Sequence, residues 1–204
     1  MSSKGTEGTN QSRTFGPLTR ASQFFYAKSS LVTAVLATLV FAGYTVLVLS
    51  GQGKAFEVAN SSIRSLGTSL GFGQAEILAF LAERSADQIA AYITFNQVWD
   101  TLFGVIYGVM YVVWASLLLK PYSHKVGILN LLPFGQVLFD WLENIGLATV
   151  SSQYLADGTI SASTAQLAST ASSIKWAFAL LVYGVILVGI IARTVGALKR
   201  RSQR

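Results

Sequence analysis

The chain has 204 residues, of which 52% are hydrophobic and only 12% charged, with a formal net charge of +6. Soluble domains carry about a quarter charged residues, so this balance, with a mean hydropathy of +0.51, points to lipid as the solvent. Cysteine is absent and His124 is the single histidine; disulfide scaffolds, thiolate zinc sites, iron–sulfur centres and cysteine nucleophiles are excluded, and histidine-based metal or acid/base sites nearly so.

Residues 1–30 form a polar, Ser/Thr-rich leader bearing Lys4, Arg13, Arg20 and Lys28 against Glu7, and are expected to be a disordered cytoplasmic tail. The first span, about residues 31–50, holds no charge from Leu31 to Leu49. About 20 such residues cross a ~30 Å hydrocarbon core, and a run with no polar face cannot be a core helix of a water-soluble bundle. It exceeds the usual signal-peptide core and no A-x-A site follows it, so an uncleaved signal anchor is expected.

The outer loop 51–97 opens with glycine and polar residues. From Gln74 to Phe95, Ile77, Leu78, Leu81, Ile89, Tyr92 and Ile93 recur at helical spacing with Glu76, Glu83, Arg84 and Asp87 between them. That spacing predicts one amphipathic helix, lying on the outer membrane surface or capping the bundle. Asn60-Ser61-Ser62 fits a glycosylation sequon and is read as a chance match.

The second span covers 98–119, with Asp100 near its start, and Lys120 and Lys125 occupy the turn after it. The third, 126–150, holds Asp140 and Glu143. The second outer loop, 151–175, is rich in Ser, Thr and Ala, with Asp157-Gly158 as a turn signal. The fourth span, 176–198, carries Arg193, expected to snorkel inward, and the tail 199–204 holds Lys199, Arg200, Arg201 and Arg204. Basic residues thus concentrate on the two termini and the 120–125 turn, placing both ends in the cytoplasm. Anionic inner-leaflet lipid accounts for the basic excess without a nucleic-acid partner.

Chemistry concentrates in the third span. Gln136, Asp140, Glu143 and Asn144 follow one another at helical spacing and share one face. An ionisable group at bilayer depth costs at least about 2.5 kcal/mol on insertion scales and faces a cavity or a partner. The second span runs the opposite way, so its start lies at about the same depth. Its stripe of Asp100, Gly104, Tyr107 or Gly108, and Tyr111 includes a small-xxx-small pair suited to close helix packing. Asp100, Tyr107, Asp140, Glu143 and Asn144 are therefore expected to line one outward-open polar pocket. Lys175 is the nearest cation and Arg84 a second, and Trp141 walls the carboxylates. Two or three oxygens without histidine fill only part of a metal shell, and nothing names a cofactor.

Asp140-Trp-Leu-Glu143-Asn144 also resembles a D-x-x-E-N signature of small uncharacterised bacterial membrane proteins with about four spans. The resemblance covers five positions on one helix. It implies a polytopic bundle in the bacterial inner membrane and no established activity.

The sequence thus reads as an all-α integral membrane four-helix bundle with an additional extracytoplasmic amphipathic helix. Its partners are the lipid bilayer and either another membrane protein or a second copy of itself. Three functions fit the pocket: a network fixing helix register in an accessory or assembly subunit, a small-solute or proton-linked transport site, or an intramembrane enzyme using the Asp140/Glu143 pair on a lipid-soluble substrate.

Overall fold

The computed structural model describes residues 16–203 apart from 60, 62 and 64. The Asn60 sequon and the tail charges Lys4, Glu7 and Arg13 lie outside the described residues, as do Arg64 and Arg204. The described chain is all-helical. Its elements are α1 (Pro17–Lys28), α2 (Leu31–Lys54), α3 (Gln74–Ala82), α4 (Ala86–Val126), α5 (Leu132–Asp157) and α6 (Ala162–Arg201). Three of them, α2, α4 and α6, are long and apolar enough to cross a membrane. α5, which carries Gln136, Asp140, Glu143 and Asn144, is not among these.

Part of the leader expected to be disordered is helical. Pro17 begins α1, where its missing N–H costs nothing, and Ser22 and Tyr26, one turn apart, are the side chains it buries. Ser22 Oγ donates to Asn130 Oδ1 at 2.6 Å, and Tyr26 Oη donates to Gly127 O at 3.2 Å. Asn130 Nδ2 in turn donates to Ser116 Oγ at 2.8 Å. The latch docks α1 under the turn between α4 and α5. Gly127 makes that turn with φ +56°, a conformation that side-chain-bearing residues disfavour. Asn130→Ala removes a buried partner from both Ser22 and Ser116 and is expected to cost about 1–3 kcal/mol. A lower thermal midpoint in detergent, with faster tryptic cleavage after Arg20 and Lys28, checks this.

Ser30 starts α2 with a reciprocal capping box to Thr33. Only 6% of the most apolar window of α2 is buried, against 56% for α4, so α4 is the central helix and α2 leans on its flank. The segment read as one amphipathic helix is broken. Ser85 caps a new helix through a capping box with Gln88, ending α3 and starting α4 well before the expected boundary at Val98. Its apolar residues do not lie on a surface. Ile77, Phe80, Leu81, Ile89 and Tyr92 join Leu147 and Val150 of α5 and Ala165 and Ala168 of α6 in one core at the end of the bundle opposite α1.

The loop expected over 151–175 is almost wholly helical. α5 runs on to Asp157, closes at Gly158 with φ +76°, and α6 begins four residues later, its Ser161 cap accepting from Thr164 N. The small residues Ala165, Ala168, Ala171 and Ser172 are buried, and their size permits the close α5–α6 approach. Arg193, expected to snorkel, donates from Nη2 to Leu117 O at 2.9 Å, near the end of the long regular stretch of α4, where helix carbonyls need partners.

Candidate functional site

Antiparallel packing of α5 and α6 brings Lys175 against the polar face of α5. Lys175 Nζ lies 3.3 Å from Asp140 Oδ1 and is ion-paired with Glu143 Oε2. It also donates to Gly67 O at 3.0 Å. All three charged side chains are buried. Three acceptors around one ammonium use its three N–H donors. Removing water from such charges is tolerable only when attraction and hydrogen bonding repay it.

The strap that carries Gly67 is pinned to α6 by three serines. Ser172 Oγ donates to Ser69 O and Ser173 Oγ to Leu70 O, both at 2.8 Å, while Phe72 N donates to Ser169 Oγ at 3.0 Å. Asp100 reaches the site from α4, at the end of a π-helical stretch, Phe95–Asp100. A π turn adds a residue and rotates all that follows, and such turns recur at functional sites. Side chains satisfy the carbonyls of this irregular backbone. Thr101 Oγ1 donates to Asn96 O at 2.8 Å, Tyr44 Oη to Trp99 O at 2.9 Å, and Trp141 Nε1 to Thr101 O at 2.9 Å. α2 carries a second π stretch, Thr45–Leu49.

The Gly104-x-x-x-Gly108 pair packs within the chain, against α5. A Cβ at Gly108 would fall 2.5 Å from Val137 Cγ2, and one at Gly104 3.1 Å from Asp140 Oδ2. The missing side chains let α5 bring its carboxylate up to the α4 backbone.

Of the residues singled out in the sequence, Asp100, Tyr107, Gln136 and Asp140 line one cavity of about 330 Å³, with Lys175. Glu143 and Asn144, 0% and 1% exposed, sit behind it. Arg84 does not join the site. Its guanidinium stacks 3.4 Å from the centroid of the Phe80 ring and donates to the carbonyls of Phe56 and Phe80. Burial there lowers its pKa, while Tyr92 and Glu83 act in the opposite direction. At the far end of α5, hydrogen bonds from the Thr159 backbone and hydroxyl hold the Asp157 carboxyl below its usual range. Arg84 lines a second cavity of about 820 Å³ that shares Leu49, Ser65 and Phe95 with the first.

No family model, curated protein or solved structure matches this chain. What the site can do follows from its own atoms. Two carboxylates, Asp140 and Glu143, hold one ammonium, and a third, Asp100, lines the same cavity. Gln136 Oε1 is buried without a hydrogen-bond partner, while Tyr107 lies beside Asp140 and Asn144 beside Asp100. Among the described residues no three acid or histidine side chains converge as metal ligands. The arrangement suits proton exchange and the binding of a small polar or charged molecule. The sequence reading caught Tyr107 and Tyr111 of the aromatic wall and missed the rest of it, to which Phe103, Trp176 and Tyr183 contribute. Tyr183, a hydroxyl within an apolar span, is the one signal that pointed to it. The Gly67 carbonyl left no signal, since a backbone acceptor is the same at every residue.

Proposed function

We propose that this chain is a four-crossing protein of a bacterial inner membrane, with both termini cytoplasmic, that holds a small solute in an outward-facing pocket and carries it in linkage with protons, without enzymatic turnover. α5 is the fourth crossing on this reading. At 26 residues it is about 39 Å long, and it packs along α4 and α6. The distribution of Lys and Arg supports the orientation. Gly104, which faces Asp140, lies about 22 Å along α4 from Leu119, in the outer half of the bilayer on that orientation. The larger neighbouring cavity, which shares Ser65 and Phe95 with the first, is the route outward on this reading.

One observation carries this reading: the Lys175–Asp140–Glu143 cluster opens onto a cavity of about 330 Å³, within the usual size of small-molecule sites. A network serving helix register alone needs no cavity beside it; here Asp100, Gln136 and Asp140 line one. Two carboxylates sharing one ammonium also provide a place for a proton to exchange against solute.

The test is uptake into liposomes driven by a pH difference, with the reconstituted chain and a panel of small solutes. Asp140→Asn and Glu143→Gln are each expected to abolish the pH-driven component. Uptake that persists in both variants overturns the proposal, and so does its absence from the wild-type chain. The alternative of an accessory subunit draws on the apolar face of α2, where Leu36, Leu39, Val40 and Leu47 are exposed. It predicts a stoichiometric membrane-protein partner in mild detergent and no flux by the isolated chain.

A further inference from the structure

We propose that the cavity selects a protonated lipophilic amine, bound with its N–H groups toward Asp140, Gln136 and Tyr107 and its apolar body among the aromatic side chains. The inference rests on the solute-site reading above and names the class of solute.

The first argument is charge. Among the described residues Lys175 is the only cation lining the cavity, and its donors are already engaged by Asp140, Glu143 and the Gly67 carbonyl. An anion would find no free cationic donor and would face Asp100 and Asp140. A cation complements Asp100, the carboxylate on the wall with which Lys175 makes no ion pair. Charge complementarity of this kind suppresses the wrong partner when the unfavourable pairing is desolvated.

The second argument is the sense of the hydrogen-bonding atoms on the wall. Asp140 and Gln136 bring acceptors to the wall, and the Tyr107 hydroxyl, beside Asp140, accepts as well as donates; Gln136 Oε1 has no protein partner. The three residues are 4%, 7% and 5% exposed and line the cavity. Acceptors at this depth call for a ligand that donates N–H, which favours a primary to tertiary ammonium over a quaternary one. The unpartnered donor on the wall, Trp176 Nε1, belongs to a ring whose π face already lies 5.6 Å from the Lys175 ammonium, a cation–π distance.

The third argument is the wall itself. Seven of the fifteen lining residues are Phe, Tyr or Trp. Tyr107 lies edge-on to Phe103 with centroids 5.4 Å apart, Tyr111 follows at 6.0 Å from Tyr107, and Tyr183 at 5.7 Å from Tyr111. This continuous band offers π faces to a cation and dispersion contacts to its apolar body. A strongly hydrated ion such as Na⁺ or a polyamine would be poorly matched to it.

The experiment is equilibrium binding to the purified full chain in detergent, read by tryptophan fluorescence and thermal shift. Matched sets of arylalkyl probes carry an amine, an alcohol or a carboxylate on the same skeleton. Saturable binding is expected for the amines, at least about tenfold tighter than for the matched alcohols, and none for the carboxylates. Asp100→Asn, which leaves the Lys175 ion pairs intact, is expected to weaken the amines about tenfold and the alcohols by less. Tyr107→Phe keeps the ring and is expected to weaken them a few-fold. Alcohols or carboxylates binding as tightly as amines would overturn the amine assignment and leave a solute site standing. Amine affinity unchanged in both variants would place the binding elsewhere and overturn it too. Failure of every probe, together with failure of uptake, would remove the solute site as well.

Discussion

Lys175→Met is expected to destabilise the folded chain in detergent by about 3–5 kcal/mol, the cost of removing one partner of a buried ion pair. The methionine fills the same volume. What is lost is the charge that makes Asp140 and Glu143 tolerable at 4% and 0% exposure. The variant must either bury two uncompensated carboxylates or protonate them, and both routes lower stability at neutral pH. Adding Asp140→Asn and Glu143→Gln to Lys175→Met removes the uncompensated charges. The triple variant is therefore expected to regain much of the loss, because an uncharged buried set is often as stable as the ionic one it replaces. Thermal or denaturant unfolding of the single and triple variants makes the comparison. Were Lys175→Met as stable as the wild type, the ion pairs would not hold α5 to α6.

Gly108→Leu is expected to separate α4 from α5 at a cost of about 1–3 kcal/mol, the range for overpacking a close contact. Even the first added carbon would fall 2.5 Å from Val137 Cγ2, and Val137 sits one turn before Asp140, so the carboxylate moves with it. The variant is expected to lose solute binding as well as stability. A built-in control exists on α6, where a Cβ at Gly184 meets nothing within 4 Å; Gly184→Ala should be neutral or slightly stabilising, since alanine is the better helix former. A loss at Gly184 as large as the one at Gly108 would show that contact with α5 does not set the Gly108 effect.

Both expectations draw on features that could be read in the residues. Gln136, Asp140, Glu143 and Asn144 stand out because charged and amide groups are rare in apolar spans, and helical spacing alone puts them on one face. The Asp100–Tyr111 stripe follows in the same way, and Lys175 follows from antiparallel threading. Other features were not legible, for identifiable reasons. The π turns at Thr45–Leu49 and Phe95–Asp100 each shift register by one residue, which an apolar run with no clear periodicity conceals. The Ser/Thr/Ala stretch after Val150 resembles a loop in composition, yet only Gly158 interrupts it, and packing on α5 outweighs the weak helix propensity of Ser and Thr. The break at Ser85 depends on a four-residue cap inside a longer apolar pattern. The docking of α1 depends on Asn130, more than a hundred positions away.

The strap over residues 67–72 is tied to α6 almost entirely through its own main chain. The Gly67, Ser69 and Leu70 carbonyls and the Phe72 amide meet Lys175, Ser172, Ser173 and Ser169. A segment anchored in this way is largely indifferent to its own side chains along Gly67–Leu70, while its course depends on four residues of another helix. Evolutionary drift should therefore be free along Gly67–Leu70 and strongly restrained at Ser172, Ser173 and Lys175 of the helix beneath.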